Sequence, residues 1–394
     1  MSRLWDKGAP LDERVLAYTA GDDFALDERL VKYDARASIA HAEMLNAAKL
    51  LGDADLEAIR AELTAIAEEH AAGGWRIELA DEDGQTALEK RLTARIGAAG
   101  GRVHLGRSRN DQVLTALRLY LLDAGRELSA AAADVADALD RLAQREGQIP
   151  LPGYTHMQQA MPSSVALWAQ GFAAELRDDA SGLAATARRA SKSPLGSAAG
   201  YGAAGLPLDR ETTRAKLGFA EVHTPVTAVQ LSRGKAEAQL LFEITLTMQD
   251  VGRLASDLLL FYTQEFAFVR LPDEFTTGSS IMPQKRNPDV FELVRGRSAS
   301  ALSCLVEALA ITAKLPSGYQ RDLQLLKVPT FRGIDLCMQT LDIMATALQA
   351  VEFDAAHIKL APGIHAAEQA NALVVSEGIP FREAYRRIGA NLKG

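Results

Sequence analysis

The fold is decided by residues 113–142, which read VLTALRLYLLDAGRELSAAAADVADALDRL. Apolar side chains recur here at alternating steps of four and three residues, the spacing that predicts a helix packed nearly parallel to others. The positions are Val113, Leu117, Leu121, Ala124, Leu128, Ala131, Val135, Leu139 and Leu142. At about 1.5 Å per residue such a helix is about 45 Å long. The stretch therefore predicts one member of a long-helix bundle.

Four further stretches have helical periodicity or composition. They are residues 165–183, 240–261, 291–311 and 331–351. Pro162, Ser163 and Ser164 mark the start of the first of them. Alternating β-branched runs are scarce, and only residues 75–79 are predicted to form a short strand. The sequence therefore predicts an all-α fold with a long central helix bundle.

Three domains are predicted along the chain. Residues 1–102 form an N-terminal domain of shorter helices, which ends in a flexible Gly-Ala-Ala-Gly-Gly segment at 97–101. Residues 103–354 form the central long-helix domain. The long-period pattern stops near Ala355, so residues 355–394 are predicted to be a small C-terminal helical domain.

Charge and composition narrow the possible partners. The 394 residues include 43 Lys and Arg against 51 Asp and Glu, and 48% are hydrophobic, so the chain has ample material for a core. A net charge of -8 provides no basic footprint for nucleic acid or for an anionic membrane surface. We therefore expect neither as a partner, and any anionic ligand must meet a local cluster of positive charge.

The cellular compartment is predicted from the cysteines and the hydropathy. Cys304 and Cys337 lie in apolar stretches without a partner at metal or redox spacing, so both are predicted to be buried free thiols. The first residues carry charges where a signal peptide needs an apolar run, and no segment has the roughly 18 uncharged apolar residues of a membrane helix. These observations favour the cytoplasm.

Three predicted interhelical loops carry unusual chemistry. They are VHLGRSRNDQ at 103–112, LPGYTHMQQAMPSS at 151–164 and TTGSSIMPQKRNPD at 276–289. Loops on a rigid scaffold often hold binding groups. The GxGxxG match at 200–205 is dismissed because no predicted strand precedes it and Pro207 follows. The seven histidines show no metal-ligand spacing, so no metal site is expected.

The segment GSSIMPQKRNPD at 278–289 supplies hydroxyl, lysine and amide groups between turn-forming residues. From the residues alone it is either a solvated linker or a loop for proton transfer and anion stabilisation. The segment resembles the signature loop of the fumarase/aspartase superfamily, whose members eliminate a group from a succinyl moiety and release fumarate. VHLGRSRNDQV, LPGYTHMQQAMP and GYQRDLQLLK at 318–327 are similar to motifs of the argininosuccinate lyase family. The match runs in register from about Leu4 to Gly389.

This resemblance implies an elimination that converts argininosuccinate to arginine and fumarate in arginine biosynthesis, without metal or organic cofactor. It also implies a homotetramer in which long helices of four subunits form the bundle. Ser279 matches the catalytic base of the family, with Ser280 as the alternative if the register is wrong. Lys285 and Asn287 match the groups that stabilise the dianion-like intermediate. His156 matches a histidine that pairs with the glutamate corresponding to Glu292 and assists protonation of the leaving nitrogen.

The resemblance also implies the substrate contacts. Arg109, Asn110 and Thr155 would hold the succinyl carboxylates, with Ser108 and Arg107 as weaker candidates. Four further residues match substrate-binding positions of the family: three bind the arginine-like half of the substrate, and one is an acidic position near the amino terminus of the chain. The first three are Tyr319, Gln324 and Lys327, and the acidic residue is Asp27. For each residue, the alternative is a surface charge or a core hydroxyl.

The sequence departs from the family pattern at several positions. Gln85 and Asp23 replace a histidine and a serine of many members, and Ser-Arg-Gly-Lys at 232–235 replaces Ser-Asp-Arg-Asp. The sequence also stops at Gly394, several tens of residues short of the usual family length, so we expect either that the expressed part ends there or that the small C-terminal domain is shortened. Two alternatives stay open: another fumarate-releasing lyase, such as adenylosuccinate lyase, and a non-catalytic structural protein with the lyase fold, as in lens crystallins.

Overall fold

The computed structural model describes residues 12–392. The fold is all-α, as predicted, and strands are few and short within that range. The helices are α1 (Glu13–Ala20), α2 (Asp23–Leu26), α3 (Val31–Ala47), α4 (Asp53–Ala71), α5 (Gly84–Ile96), α6 (Ala98–Arg102), α7 (Arg109–Glu146), α8 (Val165–Ala185), α9 (Ala187–Ala190), α10 (Arg210–Leu217), α11 (Val226–Leu231), α12 (Lys235–Tyr262), α13 (Asp289–Thr312), α14 (Lys327–Ala350), α15 (Ala366–Glu377) and α16 (Phe381–Asn391). Short 3-10 helices cover Asp27–Leu30, Leu79–Asp81, Asp273–Phe275 and Arg321–Leu326.

The five predicted long helices are confirmed as α7, α8, α12, α13 and α14. Helix α7 has 38 residues, and its seam residues Leu117, Leu128 and Leu139 are all buried. The four-and-three spacing keeps these side chains on one side of the helix, where neighbouring helices cover them.

The strands form three two-stranded sheets. They are β1 (Pro150–Thr155) with β2 (Gln158–Ser164), β3 (Lys192–Ser193) with β4 (Glu221–Val222), and β5 (Val269–Arg270) with β6 (Glu352–Phe353). The β1–β2 pair is an antiparallel hairpin in a segment predicted to be a loop. Its register aligns Pro152 with Pro162, and proline is tolerated there because an edge strand needs few donors.

The prediction of a strand at residues 75–79 is wrong. The segment is irregular and leads into the 3-10 helix at Leu79. Side chains satisfy two of its backbone amides: the Ile77 amide donates to Glu28 Oε1 at 2.6 Å, and the Glu78 amide donates to Asp81 Oδ2 at 3.2 Å. With these bonds made, the segment needs no partner strand.

The segment 97–101 is also not a flexible linker. Residues Ala98–Arg102 form helix α6, which packs on α4 and α5. A Cβ atom on Gly100 would lie 2.8 Å from the Cα atom of Thr93, so this glycine is needed for close backbone packing.

Two compact units divide the described chain. The first includes residues up to 127 together with 182–244 and 302–335, and the second includes 128–181, 245–301 and 336 onward. Both therefore draw residues from each of the five long helices. The boundaries between the two units fall inside these helices and do not coincide with the boundaries of the three predicted domains. The three-domain division stays a prediction, and its limits at residues 1 and 394 lie outside the described residues.

The first unit has its own apolar core. Helix α3 packs on α4, α5 and α10, and buried side chains such as Leu45, Ile59, Leu63 and Leu88 fill the space between the shorter helices. Cys304 in this unit is buried and forms no disulfide, as predicted, and its Sγ accepts from Arg332 Nε at 3.2 Å.

The second unit is held by contacts between long helices. Trp168 of α8 packs against Phe261 of α12 with the two rings tilted by 58°, and it donates from Nε1 to Asp257 at 2.9 Å. Arg177 of α8 forms ion pairs with Asp137 and Asp140 of α7. Cys337, the other predicted free thiol, is buried in α14. No helix of the described chain is both long enough and apolar enough to span a membrane.

Candidate active site

A polar cavity of about 160 Å³ opens in the first unit. Five of the predicted substrate-binding residues line it: Arg109, Asn110, Tyr319, Gln324 and Lys327. Asp23, Asp83, Val113, Arg233 and Arg321 complete the lining. A sixth predicted residue, Asp27, is fully buried and contacts Lys327, whereas the predicted Thr155 lies in the second unit.

A buried lysine with two carboxylates forms one wall of the cavity. Lys327 Nζ lies 2.6 Å from Asp27 Oδ1 and 3.1 Å from Asp23 Oδ2, and the Gly84 amide donates to Asp27 Oδ2 at 3.0 Å. Burial alone would lower the pKa of Lys327, but Asp27 and Asp23 outweigh it and raise that pKa. Burial raises the pKa of Asp23 to about 6, against the attraction of Lys327 and with the help of Asp27. Lys327 is therefore charged, and Asp23 titrates near neutral pH.

The start of α7 positions Arg109 and Asn110. Ser108 Oγ accepts from the Asn110 amide at 3.3 Å, and Asp111 Oδ1 accepts from the Ser108 amide at 2.9 Å, so the two side chains cap the helix reciprocally. The RSRND motif thus begins a helix, whereas a loop was predicted for the whole of 103–112. Within the described residues the Asn110 side chain makes no hydrogen bond, so its amide is available to a ligand.

Asp111 also holds the glycine-rich segment beside α7. Its Oδ2 accepts from the amides of Gly196 and Ala198 at 2.9 and 2.8 Å. Burial raises the pKa of this carboxyl to about 6, although these backbone bonds favour the charged form. Gly200 has a φ of 107°, which only glycine adopts readily, so the segment is a structured turn region rather than a nucleotide-binding motif.

Opposing charges surround the cavity opening. Arg109 forms an ion pair with Asp83, which also caps α5 by accepting from the Thr86 amide at 2.9 Å. The guanidinium predicted to hold a substrate carboxylate is therefore already oriented by a carboxylate of the protein. Sequence reasoning missed Asp83, although its place before Gly84 in the helix-starting Asp-Gly-Gln-Thr run is the pattern of a cap.

The segment 318–327 supplies four residues of the lining: Tyr319, Arg321, Gln324 and Lys327. Gln324 Nε2 donates to the carbonyls of Thr19 and Ala20, both at 3.1 Å, which leaves its Oε1 as an acceptor for a ligand. Arg233 lies 5.8 Å from the ring centroid of Tyr319. Arg233 and Arg321 were missed as lining residues, although both stand within segments that the sequence had distinguished, 232–235 and 318–327.

The signature loop lies in the second unit, where one backbone bridge closes it. The Thr277 amide donates to the Asn287 carbonyl at 3.0 Å, and the Asn287 amide donates back at 2.8 Å. Inside this closed loop, Ser279 Oγ accepts from the amides of Ile281 and Met282 at 3.4 and 3.2 Å. Two backbone donors on one hydroxyl oxygen favour negative charge on that oxygen.

The other predicted catalytic residues of the loop differ in how firmly they are held. Asn287 Nδ2 lies 3.3 Å from the Gly278 carbonyl and 3.4 Å from Thr277 Oγ1. Lys285 is exposed and has no ion-pair partner within residues 12–392. Glu292 is exposed in the first turn of α13. The loop that carries the serine therefore also carries an exposed lysine without an ion-pair partner among the described residues and an amide held by hydrogen bonds.

The predicted histidine occupies the tip of the β1–β2 hairpin. His156 and Met157 form its two-residue loop, with φ values of 51° and 59°, the left-handed pattern of a type I′ turn. Such turns favour glycine and asparagine, and non-glycine residues held there often serve a function. Thr155, His156 and Met157 are all exposed. Gln159 fixes the hairpin by bonding the Lys359 carbonyl at 3.0 Å and the Ala361 amide at 2.7 Å.

The predicted pair of His156 and Glu292 is not formed within the chain. Among the described residues neither side chain makes a hydrogen bond or ion pair with the other. Their pairing stays a prediction. No group of three His, Cys, Asp or Glu side chains in residues 12–392 is placed to hold a metal ion.

Known proteins match this chain in both sequence and fold. A family model described as Lyase matches residues 10–302. Argininosuccinate lyase of Sorangium cellulosum (strain So ce56) is 48% identical over 392 residues, which cover 99% of this chain and 90% of that protein. Argininosuccinate lyase of Xylella fastidiosa (strain 9a5c) is 42% identical over 388 residues, covering 98% and 86%.

The chain belongs to the argininosuccinate lyase family. Its fold also matches a solved structure of an EDDS lyase variant with bound fumarate, with a TM-score of 0.80 and 24% sequence identity over 97% of this chain and 76% of that chain. The long-helix bundle is thus of the fumarase/aspartase type, and the chain is a carbon–nitrogen lyase, as the sequence predicted.

Proposed function

We propose that this lyase eliminates fumarate from argininosuccinate and releases arginine, in arginine biosynthesis. The observation that carries the proposal is the gathering of Arg109, Asn110, Tyr319, Gln324 and Lys327 around one polar cavity. These residues come from two motifs more than 200 positions apart (109–110 and 319–327), which the fold brings together.

The cavity suits a ligand that carries charges of both signs. Arg109, Arg233, Arg321 and Lys327 provide positive charge, and Asp23 and Asp83 provide negative charge. Argininosuccinate has carboxylates, an α-ammonium group and a guanidinium. We assign the arginine-like half to the wall formed by Tyr319, Gln324 and Lys327, and succinyl carboxylates to Arg109 and Asn110, with Thr155 completing that contact.

The loop supplies the chemistry of the elimination. Ser279 Oγ takes the proton from the carbon beside a carboxylate, and the amides of Ile281 and Met282 stabilise its anionic form. Lys285 and Asn287 stabilise the second negative charge that develops on that carboxyl group. The carbon–nitrogen bond then breaks, its electron pair leaves with the guanidino nitrogen, and fumarate forms.

The departing nitrogen receives a proton from His156, which Glu292 orients. A glutamate beside an imidazole raises the pKa of the histidine and fixes its tautomer. Because the two side chains do not meet within one chain, we propose that a neighbouring subunit brings them together. The substrate contacts in one unit and the loop in the other are likewise contributed by different subunits.

The proposed assembly is a homotetramer. Its support is an apolar stripe on the outside of α13: Leu302, Val306 and Leu309 are 45%, 57% and 51% exposed and follow one another at steps of four and three. That spacing is typical of residues that pack against a neighbouring helix, and no other part of the described chain covers these side chains. Phe242 of α12 is also exposed. The cytoplasm is the proposed compartment, in keeping with two cysteines that form no disulfide.

Fumarate release, followed by ultraviolet absorbance, tests the proposal. The purified protein is given argininosuccinate, adenylosuccinate, malate and aspartate in parallel. We expect fumarate from argininosuccinate alone, with equimolar arginine. Release from another member of this panel, without release from argininosuccinate, would refute the substrate assignment and leave the family unaffected.

A further inference from the structure

A second cavity in the first unit, of about 320 Å³, is lined by four basic side chains and no acidic one. We call it the cationic pocket and define it by Arg118, Arg189, Lys192, His223, Ser232 and Lys235. None of these residues was assigned a role in the elimination. A cavity lined by one sign of charge concentrates ions of the opposite sign.

The base of the pocket is a buried arginine. Arg118 is 2% exposed, and its Nη2 donates to Ser232 Oγ at 2.6 Å. Its Nη1 donates to the Lys192 carbonyl and lies 3.1 Å from His223 Nδ1. Its Nε is buried without a hydrogen-bond partner among the described residues. An unsatisfied guanidinium donor in a buried position is costly, and an acceptor from a ligand would remove that cost.

The balance of charge favours a doubly charged anion. Two carboxylates stand near the four cations: Glu221 pairs with Lys192 at 2.7 Å, and Glu237 acts on Arg118. The four lining cations less these two carboxylates leave an excess of two positive charges, before Arg233, which also acts on Arg118, is counted. Arg189 and Lys235 form no ion pair in the part of the chain that the structure describes, so the excess resides on them.

The pKa of His223 also reflects the positive charge around the pocket. Burial, together with Arg118, Lys192 and Arg210, lowers the pKa of His223 to about 4, so the imidazole is neutral at pH 7. Because Arg118 can only donate to Nδ1, the proton of the neutral ring is on Nε2. The ring therefore adds a neutral donor to the cationic groups.

We propose that the cationic pocket binds a dianionic phosphate group, either as free phosphate or as part of a small phosphate ester. Guanidinium groups match phosphate oxygens in geometry, and two lysines add point charges. The apolar side chains of Ala228 and Leu231 at the edge leave room for the body of a small ester.

Titration calorimetry with inorganic phosphate, at constant ionic strength set with chloride, tests the proposal. We expect saturable binding to the assembled wild-type protein. Arg189→Gln and Lys235→Gln should each weaken it by about 10-fold, which is about 1.4 kcal/mol, since each removes one charge-assisted contact to the phosphate. Arg188→Gln is the matched control, because Arg188 is exposed beside Arg189 but does not line the pocket, and it should change binding by less than about twofold.

A second titration uses glucose 6-phosphate under the same conditions. Tighter binding than that of inorganic phosphate identifies an ester as the ligand class, and weaker binding identifies free phosphate. The proposal is overturned if neither compound binds saturably, or if Arg189→Gln and Lys235→Gln bind as Arg188→Gln does. Neither substituted side chain has a partner whose loss would unfold the protein, so circular dichroism should be unchanged in all three variants.

Discussion

The cavity of the first unit and the signature loop of the second differ in whether their lysine is buried and paired with carboxylates. In the cavity, Lys327 is buried between Asp27 and Asp23. In the loop, Lys285 is exposed and has no ion-pair partner among the described residues. Removing a buried cation destabilises the fold because its carboxylate partners stay buried without a countercharge, whereas an unpaired exposed cation contributes little to folding and is available to a reacting group. The comparison indicates that the cavity is built for binding and the loop for chemistry.

Lys327→Met should have the largest effect on stability. The substitution leaves the carboxylates of Asp27 and Asp23 buried without their cation, which costs about 3–5 kcal/mol of unfolding free energy. Lys285→Met, the matched substitution on the loop, should change that free energy by less than about 0.5 kcal/mol. Urea unfolding of both variants measures the difference. Equal stability would show that the two lysines do not differ as the structure indicates.

Ser279→Ala should lower the turnover number by at least about 100-fold, because a general base contributes at least that factor. Helix content should be unchanged, since the exposed loop adds little to the core. Ser280→Ala is the control and should retain turnover within a few-fold. If the two variants exchange these outcomes, Ser280 is the base and the register of the loop is shifted by one residue.

Lys285→Met should lower turnover by about 100-fold with little change in the Michaelis constant, by analogy with the loss of an oxyanion donor. The charge of Lys285 is most valuable when the carboxyl group gains its second negative charge. Arg286→Met removes a neighbouring charge that pairs with Asp273 at 3.1 Å and should have a small effect. A higher Michaelis constant at normal turnover would assign Lys285 to substrate binding instead.

Subunit mixing should restore partial activity to two inactive variants, His156→Asn and Ser279→Ala. Asparagine tolerates the left-handed conformation of His156, so the first substitution removes the imidazole without straining the hairpin. Some mixed sites then receive both wild-type residues. The control is each variant carried through the same dissociation and reassembly alone. Absence of recovery after verified subunit exchange, or full activity of a monomer by light scattering, would contradict the shared site.

The smallest effect is expected from the titration of Asp23. A carboxyl with a pKa raised to about 6 is neutral below that pH and negative above it, so Asp23 attracts a cationic substrate group only above about pH 6. The Michaelis constant of the wild type should rise several-fold between pH 7 and pH 5. The Asp23→Asn variant should have a higher Michaelis constant than the wild type at pH 7, and that constant should not change between pH 7 and pH 5. The same pH dependence in the variant would exclude Asp23 as its origin.

Sequence reasoning succeeded where a pattern was long or a motif was specific. Three of the five long helices were predicted because their periodicity persists over many turns, and the helices at 291–311 and 331–351 were predicted from their composition. The cavity residues were predicted from the motifs around Arg109 and Tyr319, although only the fold shows that they meet. The β1–β2 hairpin was missed because its prolines and Gly153 are typical of a loop, and its strand pairing depends on a partner across the turn.

The remaining misses concern groups whose role depends on distant partners. The Ile77 amide is satisfied by Glu28, 49 positions earlier in the chain, which the local sequence does not reveal. The ion pair of Asp83 with Arg109 joins two motifs that local patterns treat separately. Arg233 faces the cavity from a turn that was noted only as a departure from the family pattern.

The Asp111 carboxylate has a consequence for local unfolding. It joins the first turn of α7 to amides 85 and 87 positions further along the chain. The Gly196–Ala198 stretch lies outside helices and strands, so these bonds and a few turns hold it in place. Opening the stretch leaves a buried carboxylate without two of its donors, and fraying the helix start removes the third. The two segments should therefore open together, as one cooperative unit.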